Sequence, residues 1–317
     1  MSVLRTLAPA KVNLGLFVGP VRSADGRHEL VSVMQSLSLA DELTMEVGAG
    51  AGGAGEGGAG EGGADEVICP GLPGPAEDNL AARALAGFRK LSGWRAPPVR
   101  LHVHKRIPLA AGLAGGSADA AATLRLAARA SGVEDRALLL ELAAGLGADV
   151  SAQLRPGRWL AGGAGEQLEP LPPPEGELAV LLAPFAEGLS TADVYREADR
   201  LSPPRAPAEL QRLRGALREQ LGAGAPSGAS EELLGNDLQA AAISLCPAIE
   251  GALAELRGAG AAHVFVSGSG PTVVGLFTGA GARAALERAS QALAGRRPAV
   301  IACTPVDERA GAVLEDL

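Results

Sequence analysis

A glycine-rich segment near the middle of the chain combines residue types that suit an anion site. Residues 108–122 read PLAAGLAGGSADAAA. Glycine lets backbone amides approach a ligand closely, alanine is the strongest helix former, and serine is a favourable N-cap. The segment therefore predicts a loop that opens a helix near Ser117, whose unpaired N–H groups attract an anion. A tight turn into a packed helix is the alternative interpretation.

The loop does not match three common signatures of nucleotide enzymes. A Walker A loop needs a lysine between its last glycine and the serine, but Ser117 directly follows Gly116. The Rossmann spacing of glycines is absent there as well, and GSGPTVVG at residues 268–275 imitates it only poorly. The H-R-D and D-F-G signatures of protein kinases are also missing.

Two charged residues far apart in sequence are candidates for chemistry. Lys11 follows Pro9-Ala10 and precedes Val12, a setting where lysine is uncommon, and Asn13 shares its face of the predicted strand. Asp149 stands in Gly-Ala-Asp just after a predicted helix, where a loop can direct it into a cleft. A lysine at a sheet edge and a capping surface aspartate are the plainer interpretations.

The bulk composition narrows the classes of partner. The 317 residues are 47% hydrophobic, and their formal net charge of −8 argues against nucleic acid but not against one nucleotide. The three cysteines, Cys69, Cys246 and Cys303, lack metal-ligand spacing, which predicts reduced thiols. No positively charged leader or apolar run of membrane-spanning length is present, so we expect a cytoplasmic protein without a membrane partner.

The predicted elements alternate irregularly, which favours an α+β fold over a doubly wound sheet. Strands are predicted at residues 12–18, 43–47, 99–103, 158–161, 178–182 and 299–303, and a strand–turn–strand unit at 262–277. Helices are predicted at residues 79–90, 117–130, 134–146 and 280–293, and from Thr191, Ala206 and Asn236. The Gly/Ala/Glu segment Gly48–Glu66 is predicted to be a flexible surface loop. A Gly- and Pro-rich run after residue 161 predicts a boundary, with domains at 1–163 and 164–317.

Three motifs in order make the chain resemble the GHMP small-molecule kinases. They are PAKVNL near the start, PLAAGLAGGSADAA in the middle and SGSGPT at residues 267–272. The resemblance covers nearly the whole chain. It implies an α+β fold of two domains, a ribosomal S5 domain 2-like N-terminal domain and a ferredoxin-like C-terminal domain, with the active site in the cleft between them.

DGRHEL at residues 25–30 and LGADV at residues 146–150 narrow the resemblance to the 4-diphosphocytidyl-2-C-methyl-D-erythritol kinases. That resemblance implies transfer of the γ-phosphoryl of ATP, with Mg²⁺, to the 2-hydroxyl of a cytidylyl-polyol in the non-mevalonate route to isoprenoid precursors. Another GHMP kinase of homoserine or mevalonate type, or a non-catalytic nucleotide sensor, is the alternative. Monomer and homodimer are both compatible with the sequence.

The resemblance also implies roles for individual residues. Lys11 and Asp149 would be catalytic, and the Ser117 hydroxyl would contact a phosphate oxygen or Mg²⁺. The ATP-binding residues would be Pro108, Leu109, Ala110, Ala111, Gly112, Leu113, Ala114, Gly115, Gly116, Ser117 and Ala118. The substrate-binding residues would be Asn13, His28, Asp149, Thr191, Tyr195, Gly268, Ser269 and Gly270. Arg27 replaces the family's usual aromatic residue before the histidine and could stack on the base through its guanidinium plane.

Overall fold

The structure, a computed structural model, describes residues 2–48, 64–72, 78–95, 97–222 and 231–316. Most of the predicted Gly48–Glu66 loop lies outside these ranges. Within them, strands and helices mix in two sheets, which confirms the predicted α+β class. No helix in the described part of the chain is long and apolar enough to cross a bilayer.

The first sheet is built on two long antiparallel strands, β1 and β2. The strand order is β11-β1-β2-β4-β3, and the β5–β6 hairpin joins the other half of β2. The strands are β1 Ser2–Val21, β2 His28–Val47, β3 Glu66–Ile68, β4 Val99–His104, β5 Arg158–Gly162, β6 Gln167–Leu171 and β11 Leu314–Asp316. Strands β5 and β6 therefore pair across residue 163, where the sequence predicts a domain boundary. The boundary remains a prediction.

Two irregularities in β1 help set the position of its polar residues. The register against β2 shifts between Pro9 and Lys11 and again between Asn13 and Gly15. Such bulges bend a strand and redirect its side chains, and they interrupt the simple alternation by which a strand is recognised. Most of β1 is also buried on both faces, because helices cover one side and the second sheet covers the other.

Four helices accompany the first sheet. They are α1 Leu80–Ser92, α2 Gly115–Ser131, α3 Arg136–Leu146 and α4 Ala148–Gln153. Asn79 and Asp135 cap α1 and α3 with side-chain oxygens, as sequences of this type predict. The buried face of α2 is mostly alanine, and such small side chains permit close packing against β1 and α1.

The second sheet has the order β10-β7-β9-β8. Its strands are β7 Leu178–Ala183, β8 His263–Val266, β9 Val273–Thr278 and β10 Ile301–Cys303. The remaining helices are α5 Thr191–Leu201, α6 Pro207–Gly222, α7 Gln239–Leu245, α8 Ala248–Gly258 and α9 Ala282–Ala292. Of these helices, α7, α8 and α9 contact the strands of the second sheet, whereas α6 contacts β1, β2, β5 and β6 of the first sheet. One hydrophobic cluster joins the two sheets, with Val12 and Leu14 on one side and Val180 and Leu182 on the other.

Two local predictions about the functional segments are wrong. Helix α2 begins at Gly115 with Ala114 as its N-cap residue, so Ser117 lies in the first turn and does not cap the helix. Asp149 lies in the first turn of the short helix α4 and not in a loop. Both differences arise because backbone conformation, and not a side-chain cap, starts these helices: neither N-cap residue makes a side-chain hydrogen bond.

Candidate active site

The glycine-rich loop forms a concave row of backbone groups before α2. Every second residue is left-handed: Ala110 has φ 49°, Gly112 has φ 75° and Ala114 has φ 55°. Alternation of this kind can form a nest of amides that suits an anion. Two of these residues are alanines, for which the conformation is unfavourable, and such strain is often found at functional sites. The loop leads directly into α2, where no side chain caps the first N–H groups.

The loop lines a cavity of about 420 Å³, together with residues of β1, β2 and α5 and the turn between β8 and β9. Of the predicted ATP-binding residues, 108–117 all line it, whereas Ala118 is buried behind it. Of the other predicted site residues, Lys11, Asn13, Asp149, Thr191, Tyr195, Gly268 and Ser269 line it too. His28 and Gly270 lie outside the lining. The structure thus brings nearly all of the predicted site residues to one cleft.

Lys11 and Asp149 face each other in this cleft although 138 positions separate them in sequence. The ammonium Nζ lies 3.5 Å from Asp149 Oδ2. The lysine side chain is nearly buried at 8% exposure, whereas the carboxylate is 33% exposed and open to the cavity. The pair can therefore offer a proton acceptor and a positive charge to the same bound group.

Hydrogen bonds fix the lysine in place. Lys11 Nζ donates to Asn13 Oδ1 at 2.7 Å, and Asn13 Nδ2 donates to Ser32 Oγ at 2.7 Å. Ser32 in turn donates to the carbonyl of Gly15 at 2.8 Å, beside the second bulge of β1. The backbone N–H of Lys11 donates to the carbonyl of Leu113 at 3.1 Å. The backbone of Lys11 therefore joins strand β1 to the glycine-rich loop.

The turn between β8 and β9 closes the cleft against the glycine-rich loop. A Cβ on Gly112 would lie 2.3 Å from the carbonyl oxygen of Ser267, so only glycine fits there. Gly268 has φ 56°, and a Cβ on it would press on both Asn13 and Gly112. Ser269 Oγ lies 3.0 Å from Thr191 Oγ1 at the start of α5. Ser190, and not Thr191, caps that helix, which leaves the Thr191 hydroxyl for Ser269.

Tyr195 and His28 form an aromatic pair at one end of the cleft. Their ring centroids are 5.3 Å apart and the planes are tilted by 32°. Tyr195 lines the cavity, and burial together with the nearby Asp149 charge raises its pKa to about 12. His28 Nδ1 donates to the carbonyl of Gly19 at 2.8 Å, and Nε2 lies 3.4 Å from Asp199.

Arg27 is held away from the aromatic pair in the structure. Its Nε donates to Asp25 Oδ2 at 2.9 Å, and its side chain is half exposed. It does not line the cavity. The hypothesis that Arg27 stacks on a base would need the guanidinium to leave this carboxylate.

A second ammonium in the cleft was missed from the sequence. Lys105 follows β4, lines the cavity, and bridges the buried carboxylates of Asp41 and Asp119, the latter at 2.6 Å. Asp41 Oδ1 also accepts the backbone N–H group of Ile107 at 2.8 Å, together with that of Arg106. Asp119 Oδ1 has no hydrogen-bond partner, and burial raises the pKa of Asp119 to about 7. The available signal was a carboxylate in the first turns of an otherwise alanine-rich helix.

The family profiles agree with this geometry. The chain matches the GHMP kinases N terminal domain over residues 79–157 and the GHMP kinases C terminal domain over residues 216–295. The first match contains the glycine-rich loop and Asp149. The second contains the turn at Gly268–Gly270.

Relatives of high identity share one description. A 4-diphosphocytidyl-2-C-methyl-D-erythritol kinase of Anaeromyxobacter dehalogenans (strain 2CP-C) is 45% identical over 289 residues, 88% of this chain and 82% of that protein. The kinase of the same name from Thermobifida fusca (strain YX) is 44% identical over 266 residues, 83% of each chain.

Solved structures support the same assignment. A crystal structure of 4-(cytidine 5'-diphospho)-2C-methyl-D-erythritol kinase has a TM-score of 0.69 and 33% identity, and the match covers 95% of this chain and 98% of that one. Homoserine kinase from Cytophaga hutchinsonii has a TM-score of 0.70 at 18% identity over 99% and 97% of the two chains, and so shares the fold. The chain belongs to the GHMP kinases and, within them, to the family of 4-diphosphocytidyl-2-C-methyl-D-erythritol kinases.

Proposed function

We propose that this chain transfers the γ-phosphoryl group of ATP to the 2-hydroxyl of 4-diphosphocytidyl-2-C-methyl-D-erythritol, giving the 2-phosphate and ADP. One observation supports this most strongly: Lys11 and Asp149, 3.5 Å apart, open into the same cleft as the amide-rich loop. Phosphoryl transfer needs a positioned acceptor, neutralisation of spreading charge and a group that takes the hydroxyl proton. The cleft offers all three.

Asp149 is the proposed proton acceptor. Its carboxylate is open to the cavity, 3.5 Å from the Lys11 ammonium, and can accept the proton of the 2-hydroxyl. The same ammonium stabilises the oxygen as negative charge develops on it. Asn13 orients the ammonium, because it accepts one of its hydrogen bonds.

The glycine-rich loop is the proposed site for the triphosphate. Its alternating left-handed residues and the uncapped start of α2 are a fit for phosphate oxygens. Mg²⁺, when bound, neutralises phosphate charge. The half-buried Ser117 hydroxyl at the cleft is the group of this chain that would contact it. The described residues contain no cluster of three metal-binding side chains, which suits an ion held mainly by phosphates and water.

The far end of the cleft is the proposed cytidylyl site. Tyr195 can stack on the base, and stacking on an aromatic ring contributes about 1–3 kcal/mol per base. His28 lies outside the cavity lining and supports the Tyr195 ring from behind. The turn at Gly268–Gly270 and Thr191 lie between this end and Lys11, where the polyol would bind.

A panel of acceptor alcohols tests the proposal. Purified protein, ATP and Mg²⁺ are incubated with the cytidylyl-polyol, homoserine or mevalonate, and ADP release is followed together with ³¹P NMR of the product. We expect turnover on the cytidylyl-polyol alone, with a new phosphomonoester signal at the tertiary 2-position. Turnover on the other alcohols, or ATP binding without any turnover, would contradict the proposed activity.

A further inference from the structure

A second cavity, of about 540 Å³, shares no lining residue with the candidate active site. Its walls come from the β5–β6 hairpin, the proline-rich segment before β7 and the segment 304–309 that follows β10. None of the three sequence motifs contributes to it. The cavity therefore has no part in the proposed phosphoryl transfer.

Arg158 of β5 is a buried cation at this cavity. The residue is only 3% exposed, and its Nε donates to Gln35 Oε1 at 2.8 Å. Neither terminal amino group, Nη1 or Nη2, has a hydrogen-bond partner. Burial lowers the pKa of Arg158 to about 10, and no carboxylate opposes this effect. A buried charge is strongly disfavoured without a counter-charge, so a bound anion would stabilise the guanidinium.

The other charged residues at the cavity leave positive charge that an anion could balance. Arg155, Arg283 and Arg309 also line the cavity, against the carboxylates of Glu177, Asp307 and Glu308. Glu308 is already paired with Arg155, and Asp307 accepts the backbone N–H of Arg309 at 3.0 Å. In the described part of the chain, the side chains of Arg283 and Arg309 have no ion pair.

The remaining wall is apolar. Trp159 and five prolines, at positions 156, 170, 173, 174 and 305, line the cavity. Trp159 follows Arg158 in β5, so its ring points to the other face of the strand, and its indole N–H donates to the carbonyl of Arg155 at 3.0 Å. A ligand that fits this wall has an apolar or aromatic body next to its charged group.

We propose that this cavity binds a small organic oxyanion, a phosphate or a carboxylate, whose charged group pairs with Arg158 and whose body packs on the prolines of the wall. A guanidinium with two free amino groups can hold either oxyanion through two parallel hydrogen bonds. Both amino groups are covered in the structure. Binding therefore includes a local side-chain rearrangement that uncovers them.

Fluorescence of Trp159 provides a local readout. The chain has two tryptophans, and Trp94→Phe keeps the aromatic contact with Phe88 while leaving Trp159 as the sole emitter. In this background, phenyl phosphate is titrated at constant ionic strength. We expect a saturable change that weakens at least tenfold in Arg158→Met and persists in Arg257→Met, an exposed arginine of α8 outside both cavities. Equal titrations in all three proteins would overturn the proposal.

Thermal unfolding separates loss of binding from loss of folding. Without ligand, Arg158→Met should melt at or above the temperature of the parent protein, because the unpartnered buried charge is gone. Phenyl phosphate should raise the Tm of the parent but not of the variant. Benzoate tests whether a carboxylate can replace the phosphate group. Inorganic phosphate tests whether the anion binds without an apolar body. Inorganic phosphate that binds as tightly as phenyl phosphate would overturn the assignment of an organic ligand.

Discussion

Two lysines line the same cleft, yet their surroundings differ. Lys11 meets one carboxylate, Asp149, at 3.5 Å, and that carboxylate is 33% exposed. Lys105 bridges two carboxylates, Asp41 and Asp119, whose side chains are 0% and 5% exposed. The contact between Lys11 and Asp149 is long, and its carboxylate is accessible to a ligand. The contacts of Lys105 are short, and both of its carboxylates are buried by protein.

The difference separates a group available for chemistry from a group committed to the fold. An open carboxylate can accept a proton from a bound hydroxyl, whereas a carboxylate already holding an ammonium and backbone N–H groups cannot. Asp41 is of the second kind, because Arg106 and Ile107 donate their backbone N–H groups to it. Lys105 nevertheless keeps its charge at the edge of the phosphate loop, where it adds to the field around the triphosphate site.

Asp149→Asn should cause the largest effect, and on catalysis. Loss of a general base lowers kcat by about 10²–10⁴-fold. The Tm should fall less than after loss of a fully buried ion pair, because the Asp149 side chain is open to the cavity and Asn13 still accepts a hydrogen bond from the Lys11 ammonium. Steady-state kinetics and calorimetry on the same preparation check both parts. An unchanged kcat would remove Asp149 as the proton acceptor.

Lys105→Met should act in the opposite way, on stability first. Removing one partner of a buried ion pair costs about 3–5 kcal/mol, because the remaining charges are left without a counter-ion. Urea unfolding measures this loss. The matched variant is Lys11→Met, for which we expect a smaller loss, since the exposed Asp149 can be solvated. Equal losses in the two variants would end the distinction between the two lysines.

Tyr195→Leu tests the proposed cytidylyl site, which lies in the same cleft as the two lysines. Loss of stacking should weaken binding of the cytidylyl-polyol by about 1–3 kcal/mol while ATP binding stays the same. Isothermal titration with each ligand separates the two. Equal weakening of both would show that Tyr195 supports the cleft as a whole and does not bind the base.

Asp119→Asn should give an effect on stability that depends on pH. Burial raises the pKa of Asp119 to about 7 from 3.8, so between these values the folded state binds more protons than the unfolded one. The contribution of this group to stability therefore falls as pH rises through that window, by at most about 1.4 kcal/mol per pH unit. Asparagine cannot ionise, so the free energy of unfolding of the variant should rise relative to that of the wild type from pH 5 to 7.5. Urea unfolding at several pH values measures this difference. A constant difference across that range would contradict the assignment.

Helices were predicted best, because their signals are local. Side-chain caps at Asn79, Asp135 and Ser190 start three of them close to the predicted positions. The two long strands were predicted too short, since bulges at Pro9/Lys11 and Asn13/Gly15 interrupt their alternation.

The site was predicted through its motifs and not through its geometry. Nothing local in the sequence states that Lys11 and Asp149 are close, because α4 meets β1 only in the folded chain, where Gln153 Nε2 donates to the carbonyl of Pro9 at 2.8 Å. Left-handed alanines at 110 and 114 were also beyond prediction, since alanine usually signals helix. Lys105 was missed because a lysine after a strand looks like a solvated residue until the fold places two buried carboxylates beside it.

A structure with a non-hydrolysable ATP analogue and the cytidylyl-polyol would show whether Asp149 receives the proton of the substrate. We expect the 2-hydroxyl oxygen within about 3 Å of the Asp149 carboxylate, on the side that faces Lys11, and in line with the terminal phosphorus. A 2-hydroxyl bound away from both side chains, with Asp149 still turned to solvent, would contradict this role of Asp149.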